Sequence, residues 1–238
     1  MNIKEFIEEI KKLNIDIDSD KMEKLQIYSN FLIEYNKHTN LTAIKEEKDI
    51  YLKHFYDSLT IVKIIDLNKC NNLIDIGTGA GFPGMVLKIF YPNLDVTLLD
   101  SNNKKTKFLK ELSQNLNLDV DIVNERVEIF SKNNLNKYDI VTSRAVANLR
   151  VLSELCLPLV KENGYFIPLK SNVLEEMKES LDTIKMMDGD LEKRVEFNLF
   201  NNNGLRNILL IKKIRNTDID KIRTYDKILK KPLKNNNK

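Results

Sequence analysis

Apolar side chains recur at helical spacing through the first third of the chain and then gather into short runs separated by helical stretches. Ile3, Phe6, Ile7, Ile10 and Leu13 share one face of a 3.6-residue period, which predicts a helix over 3–13. Ser19 or Asp20 is placed to cap a second helix with Met22, Leu25, Tyr28, Leu32 and Tyr35 on one face. The polar stretch 36–44 is expected to break it. A third helix is predicted over 46–65, with Leu52, Phe55, Leu59, Val62 and Ile65 turned inward.

From residue 73 the period changes. Runs at 73–76, 94–99, 120–123, 138–142 and 164–169 are short and rich in Val, Ile and Leu, as strands buried on both faces must be. Helical patterns over 85–90, 102–116, 148–160 and 172–187 separate them, the last with Leu174, Met177, Leu181 and Ile184 on one face. Two strand-like runs, 192–200 and 207–214, then flank Asn201-Asn202-Asn203-Gly204, which reads as a hairpin. The expectation is an α/β fold: a seven-stranded Rossmann-like sheet ending in an antiparallel hairpin, with an N-terminal helical cap. Residues 1–66 form the cap, 67–215 the core and 216–238 a basic tail, within one structural domain.

Composition narrows the classes. With 238 residues, 42% hydrophobic and 31% charged, the chain can bury a substantial core. No apolar run approaches the roughly 20 residues of a membrane span, and the amphipathic, acidic start over 2–10 is unlike a secretory signal. Cys70 and Cys156 lack metal-ligand spacing and are expected as free thiols in a reducing cytoplasm. His38 and His54 read as packed or capping residues, so no metal is expected. Net charge is only +3, but residues 221–238 carry seven basic side chains against Asp226 alone: a solvated end or a phosphate-binding arm.

Candidate chemistry centres on residues 72–84, where a strand runs into glycines at 77, 79, 81 and 84 ahead of a helix. Such a turn lets backbone approach a ligand closely and presents unpaired N–H groups. Gly79, Gly81 and Gly84 match the dinucleotide G-x-G-x-x-G spacing, two residues late after the strand. Asp75-x-Gly77-x-Gly79-x-Gly81 instead matches the acidic-x-G-x-G-x-G loop of S-adenosylmethionine (SAM) methyltransferases, in register. Asp75, inside the strand end, is placed to organise the loop or to reach the ligand's amino group, as a cofactor-binding residue, and Asp100 ends the second strand, placed to accept both ribose hydroxyls of an adenosine; loop capping is the plainer reading of both. Val127 and Glu128 follow the third strand, where this class binds adenine. Arg144 ends the fourth strand, at the sheet edge where open α/β folds bind ligands; a surface ion pair is its plainer reading. Phe82 either walls the cofactor or packs the loop onto its helix.

Asn40-Leu-Thr-Ala-Ile44, His54-Phe-Tyr-Asp-Ser58, the block from Asp75 to Gly84 and Ser143-Arg-Ala145 occur in this order. Together they resemble the bacterial small-subunit rRNA methyltransferase G family, also known as glucose-inhibited division protein B, from about Asn36 to the C-terminus. The resemblance implies SAM as cofactor and 16S rRNA, within the small ribosomal subunit, as partner. It also implies N7-methylguanosine, formed at guanosine 527 of the 530 loop, as product, and a cytoplasmic protein, for which a monomer is expected. By motif position the family's SAM contacts fall on Gly77, Phe82, Val127, Glu128 and Arg144, with Arg144 also the candidate catalytic residue. Val127 stands where the family usually has Ala, and Ser171 replaces the Gly of Leu-Lys-Gly. Guanine N7 carries no proton, so the reaction needs no general base, which fits a chain poor in His. A class I methyltransferase acting on another RNA or a small molecule, a nicotinamide-dependent oxidoreductase and a non-catalytic RNA-binding module are the competing readings.

Overall fold

The computed structural model describes residues 1–231 and 233. Of the expected basic tail, positions 232 and 234–238, including Lys234 and Lys238, lie outside the described residues. Seven strands form one sheet in the order β3-β2-β1-β4-β5-β7-β6. They are β1 Asn72–Ile76, β2 Asp95–Leu99, β3 Asp121–Val123, β4 Tyr138–Arg144, β5 Val160–Lys170, β6 Gly189–Asn198 and β7 Leu205–Lys213. Strands β1 to β5 pair in parallel, whereas β7 runs antiparallel between β5 and β6, so the terminal hairpin closes the sheet as expected.

Alternation along the strands divides the core into two layers. Leu73, Val96, Leu98, Ile140 and Ile167 pack with the N-terminal helices and with helices Gly84–Phe90 and Asn103–Asn115. Ile74, Ile76, Leu99, Val141, Phe166, Leu209 and Ile211 face the other way, toward Leu149–Cys156 and Leu174–Met186. Burial on both faces explains why these strands read as continuous apolar runs.

The helical cap differs from expectation in its boundaries. Asp18, rather than Ser19 or Asp20, caps the helix Ser19–Thr39, accepting from the Lys21 N–H at 2.8 Å. That helix runs through Asn36 and stops only at Asn40, whose left-handed φ of 53° terminates it. Asn36 instead uses its side chain to clasp the Thr42 backbone on both sides, at 2.8 and 3.0 Å. The third helix is a composite over 47–63: an α turn, a π-helical segment Tyr51–Tyr56, Asp57–Leu59, and a 3-10 turn Thr60–Lys63. The wider π turn buries Tyr51, Leu52, His54, Phe55 and Tyr56 together, more than one face of a regular helix would hold.

On the opposite layer the predicted helix over 148–160 ends at Cys156. A 3-10 turn holding Pro158 follows, and β5 starts at Val160, bulged around Asn163 at φ 65°. In Leu174–Met186 the predicted inner face is corrected: Leu174 and Leu181 are exposed, and Ser180, Thr183 and Ile184 are buried. The buried hydroxyls pack there because Ser180 donates back to the Glu176 carbonyl and Thr183 donates to the Leu233 carbonyl. Residues 216–231 lie against the body: Thr217 and Ile228 are buried, and Arg223 forms a two-point pair with the buried Glu154.

Candidate active site

Strand β1 ends in the glycine loop, and the loop is built around Asp75. This carboxylate is fully buried; its Oδ2 accepts from the Thr78 hydroxyl at 2.7 Å and from the Gly84 N–H at 2.9 Å. Its Oδ1 has no partner among the described residues. Burial pushes its pKa up to about 6, against the pull of those hydrogen bonds. Asp75 therefore ties the start of the loop to the start of the following helix, and no part of it reaches the surface.

The four glycines divide by what surrounds them. A Cβ on Gly84 would meet Leu98 Cδ2 at 2.4 Å and Asp75 Cβ at 2.9 Å, and one on Gly81 would meet the Tyr28 hydroxyl at 2.6 Å, so both are packing glycines. Gly79 is different: with φ +62° its Cβ direction meets nothing nearer than the Gly77 carbonyl at 4.0 Å. Its N–H donates to Asp100 Oδ2 at 3.0 Å. Asp100 also accepts from the Asn102 N–H at 2.9 Å and faces Lys105 Nζ at 3.4 Å, so it braces the loop as well as lining the adjacent space. Lys105 is thus drawn partly inward.

Beside this loop lies a cleft of about 370 Å³ at the carboxyl ends of β1 to β4. It brings together Gly77, Asp100, Val127 and Glu128 from the expected set. Val127 and Glu128 open a single helical turn, Val127–Phe130, and the Glu128 carboxylate accepts from Arg126 Nε at 2.6 Å. Ala145, of the Ser143–Ala145 motif, lines it as well, and Ile76, Leu99, Ser101, Lys105, Glu125, Arg126, Val146, Leu155 and Tyr225 complete the lining. None of these was singled out for the site from sequence. Ser101 and Glu125 were findable as neighbours of the strand ends, whereas Tyr225 had no local signal, lying some hundred residues beyond β3.

Phe82 does not border this cleft. Its ring is buried, stacked between Tyr28 (centroids 5.2 Å, 5° between planes) and His54 (4.2 Å, 12°). Phe82 thus packs the loop against the N-terminal cap. Tyr28 adds a hydroxyl donated to the Ala80 carbonyl at 2.5 Å, locking the cap onto the loop.

Arg144 stands at a second cleft, of about 450 Å³, which meets the first at Ala145. Lys53, His54, Asp57, Leu169, Lys170, Ser171 and Arg206 line it with Arg144. The Arg144 guanidinium donates to the Lys53 carbonyl at 2.9 Å, to Asp57 Oδ2 at 3.1 Å and to His54 Nδ1 at 3.1 Å. Because a guanidinium only donates, His54 Nδ1 is the acceptor, which leaves Nε2–H to donate to the Thr42 hydroxyl at 3.1 Å. Burial, reinforced by the Arg144 charge, lowers the His54 pKa to about 3, so the ring stays neutral. Asp57 is shared with Arg206, whose Nε lies 3.0 Å from Oδ1. Thr42, His54, Asp57 and Arg144 thus join three of the motifs, the third some ninety residues beyond the other two. Ala145 itself holds φ +56°, an unusual conformation for a residue with a Cβ, at the point where the clefts meet. The Nε–H and one Nη2–H of Arg144 have no partner among the described residues, leaving part of its donor edge for a ligand.

The chemistry fits the expected cofactor. Glycines that keep backbone bare, carboxylates for hydroxyl groups, apolar walls from Leu99, Val127 and Leu155, and a volume within the usual small-molecule range of roughly 300–1,000 Å³ suit an adenosine-bearing ligand.

Comparison with known proteins agrees with this geometry. Among solved structures, TYW2 of M. jannaschii in complex with AdoMet aligns with TM-score 0.50 at 14% identity, covering 61% of this chain and 69% of that one. The StiE O-MT structure aligns with TM-score 0.52 at 15% identity, covering 70% and 76%. The fold is that of the class I SAM-dependent methyltransferases. By sequence, the ribosomal RNA small subunit methyltransferase G of Bacillus subtilis is 44% identical over 221 residues, 91% of this chain and 92% of that protein. Its namesake in Lachnoclostridium phytofermentans is 42% identical over 232 residues, 96% of each. The family model described as GidB, rRNA small subunit methyltransferase G, matches residues 21–208. This chain belongs to the rRNA small subunit methyltransferase G family, and its cofactor is S-adenosylmethionine.

Proposed function

We propose that this protein transfers a methyl group to N7 of a guanine, guanosine 527 in the 530 loop of 16S rRNA, acting on the small ribosomal subunit as a cytoplasmic monomer. The observation that carries the reading is the junction of the two clefts at Ala145. A transferase must hold its methyl donor and its acceptor side by side, and Ala145, which ends one of the family motifs, lines both clefts. SAM supplies an electrophilic methyl on its sulfonium, so the protein's task is alignment, a contribution that reaches roughly 7–11 kcal/mol in ideal cases.

In this reading Val127 and Glu128 hold the adenosine end, with Asp100 toward the ribose and the Gly77–Gly79 backbone beneath the chain of the cofactor. Asp75 and Phe82 act one layer back, fixing the loop. Arg144 would hold the carboxylate of the bound cofactor with its remaining donors. The second cleft then receives the guanine. His54 stays neutral and committed to Arg144 and Thr42, which suits a reaction that removes no proton from its nucleophile.

Arg144→Ala should weaken SAM binding by about ten- to a hundred-fold, the loss of one charge-assisted contact, and reduce turnover with it. Arg144→Lys should restore little, because lysine keeps the charge without the planar fork. Calorimetric titration beside single-turnover methylation of small subunits tests this; normal SAM affinity with lost transfer would move Arg144 to the guanine. Titration with NAD in parallel addresses the oxidoreductase alternative, for which binding of NAD in place of SAM is the required result.

A further inference from the structure

The cofactor cleft has one wall that comes from outside the rest of the site. Tyr225 lies beyond residue 208, where the family match ends, yet it lines the same space as Asp100, Val127 and Glu128. It is carried by the C-terminal segment 217–231, which is anchored to the body at several points, Lys221 on Asp188 among them. Asn136 clasps the Thr217 backbone at 2.8 and 3.0 Å. Arg223 pairs through Nε and Nη2 with Glu154, whose side chain is 1% exposed. Ile228 is 1% exposed within the second core layer. Between the last two anchors the Tyr225 ring stays half-buried, with the Arg126 guanidinium 5.0 Å from its centroid. A guanidinium over an aromatic face fixes the ring's orientation.

We propose that Tyr225 is a cofactor-binding residue, its ring packing against the purine of the bound nucleoside, and that segment 217–231 is the strap that holds it in place. The chemistry is that of an aromatic platform. A flat purine gains dispersion and quadrupole contact from one face of the ring while the segment's anchors have already removed most of its freedom. The inference rests on SAM occupying the cleft beside Val127 and Glu128. It assigns no role in the transfer step itself.

The chain contains no tryptophan, so Tyr225→Trp places a single indole in the cleft. Titrating that variant with SAM, and separately with adenosine, should quench or shift its fluorescence with the same midpoint that calorimetry gives. Tyr225→Ala should weaken both ligands by about ten-fold, Tyr225→Phe should bind within about three-fold of the unaltered protein, and Arg223→Ala, which frees the strap, should weaken them as Tyr225→Ala does. SAM binding to Tyr225→Trp with no change in its fluorescence would overturn the proposal, as would an unchanged affinity in Tyr225→Ala. Failure of the unaltered protein to bind SAM would instead remove the cofactor reading on which it stands.

Discussion

Gly79 is the residue where sequence and space meet most directly. It is the loop glycine whose missing side chain leaves open volume, and its N–H holds Asp100 at the cleft. Gly79→Asp places a carboxylate near Asp100, in the open space beside the loop, at a φ that aspartate tolerates better than most residues. The expected outcome is loss of SAM binding by at least about a hundred-fold with cooperative unfolding retained, checked by calorimetry and thermal melting. Gly84→Ala should do the reverse in kind. Its methyl would collide with Leu98 and Asp75, costing about 1–3 kcal/mol of stability. His54 supplies a pH test. Its pKa falls from 6.5 to about 3 on folding, so the unfolded chain takes up a proton that the native state refuses. Its contribution to stability is complete above pH 6.5 and is lost as pH falls toward 3, at up to about 1.4 kcal/mol per unit. Asp75 works oppositely. With its pKa raised from 3.8 to about 6, its burial favours the native state below pH 4 and costs stability as pH rises through 6. Denaturant melts across pH 4–7 should show a shallower acid loss in His54→Asn than in the unaltered protein. The sequence marked Gly77, Asp100, Val127 and Glu128 correctly as cleft-side positions, since strand ends and glycine spacing are local signals. It could not distinguish Phe82 in a stack from Phe82 on a ligand, because that depends on Tyr28 and His54 arriving from the cap.

At the scale of elements, the strands were the most legible, because burial on both faces leaves little room for polar residues within them. The composite helix was not. Its π turn depends on tertiary demands, burying five of its six successive side chains while the segment aims His54 and Asp57 at Arg144, and no periodic template contains that. Helix Leu174–Met186 shows the opposite error, an apolar stripe that looks like a core face and is partly solvent-exposed. The consequence is measurable. Leu181→Glu should change stability by no more than about 0.5 kcal/mol, while Ile184→Ala should cost about 2–5 kcal/mol. Equal losses in the two variants, followed by urea denaturation, would mean that the helix packs by its predicted face after all.

For the whole molecule, the sheet order places the ends of β1 and β4 side by side at the switch point, where the first cleft opens, with the second beside it at the ends of β4 and β5. Lysines 104, 107 and 110 are exposed along the helix after β2, and lysines 227, 230 and 231 along the C-terminal segment, so cations flank the cofactor cleft from two directions. Engagement of the ribosomal subunit should therefore weaken by roughly ten- to a hundred-fold between 50 and 200 mM salt, as a handful of phosphate contacts would give. Binding measured across that range and found flat would remove the electrostatic part of the account. The position of the transferred methyl is the most direct test. The purified protein is incubated with isotopically labelled SAM and small subunits whose 530 loop is unmodified, and the rRNA is then mapped by the strand scission that N7-methylguanosine permits. The account predicts one labelled methyl per subunit, at N7 of guanosine 527. Labelling of a different nucleotide or atom, or no transfer by protein that binds SAM, would contradict it.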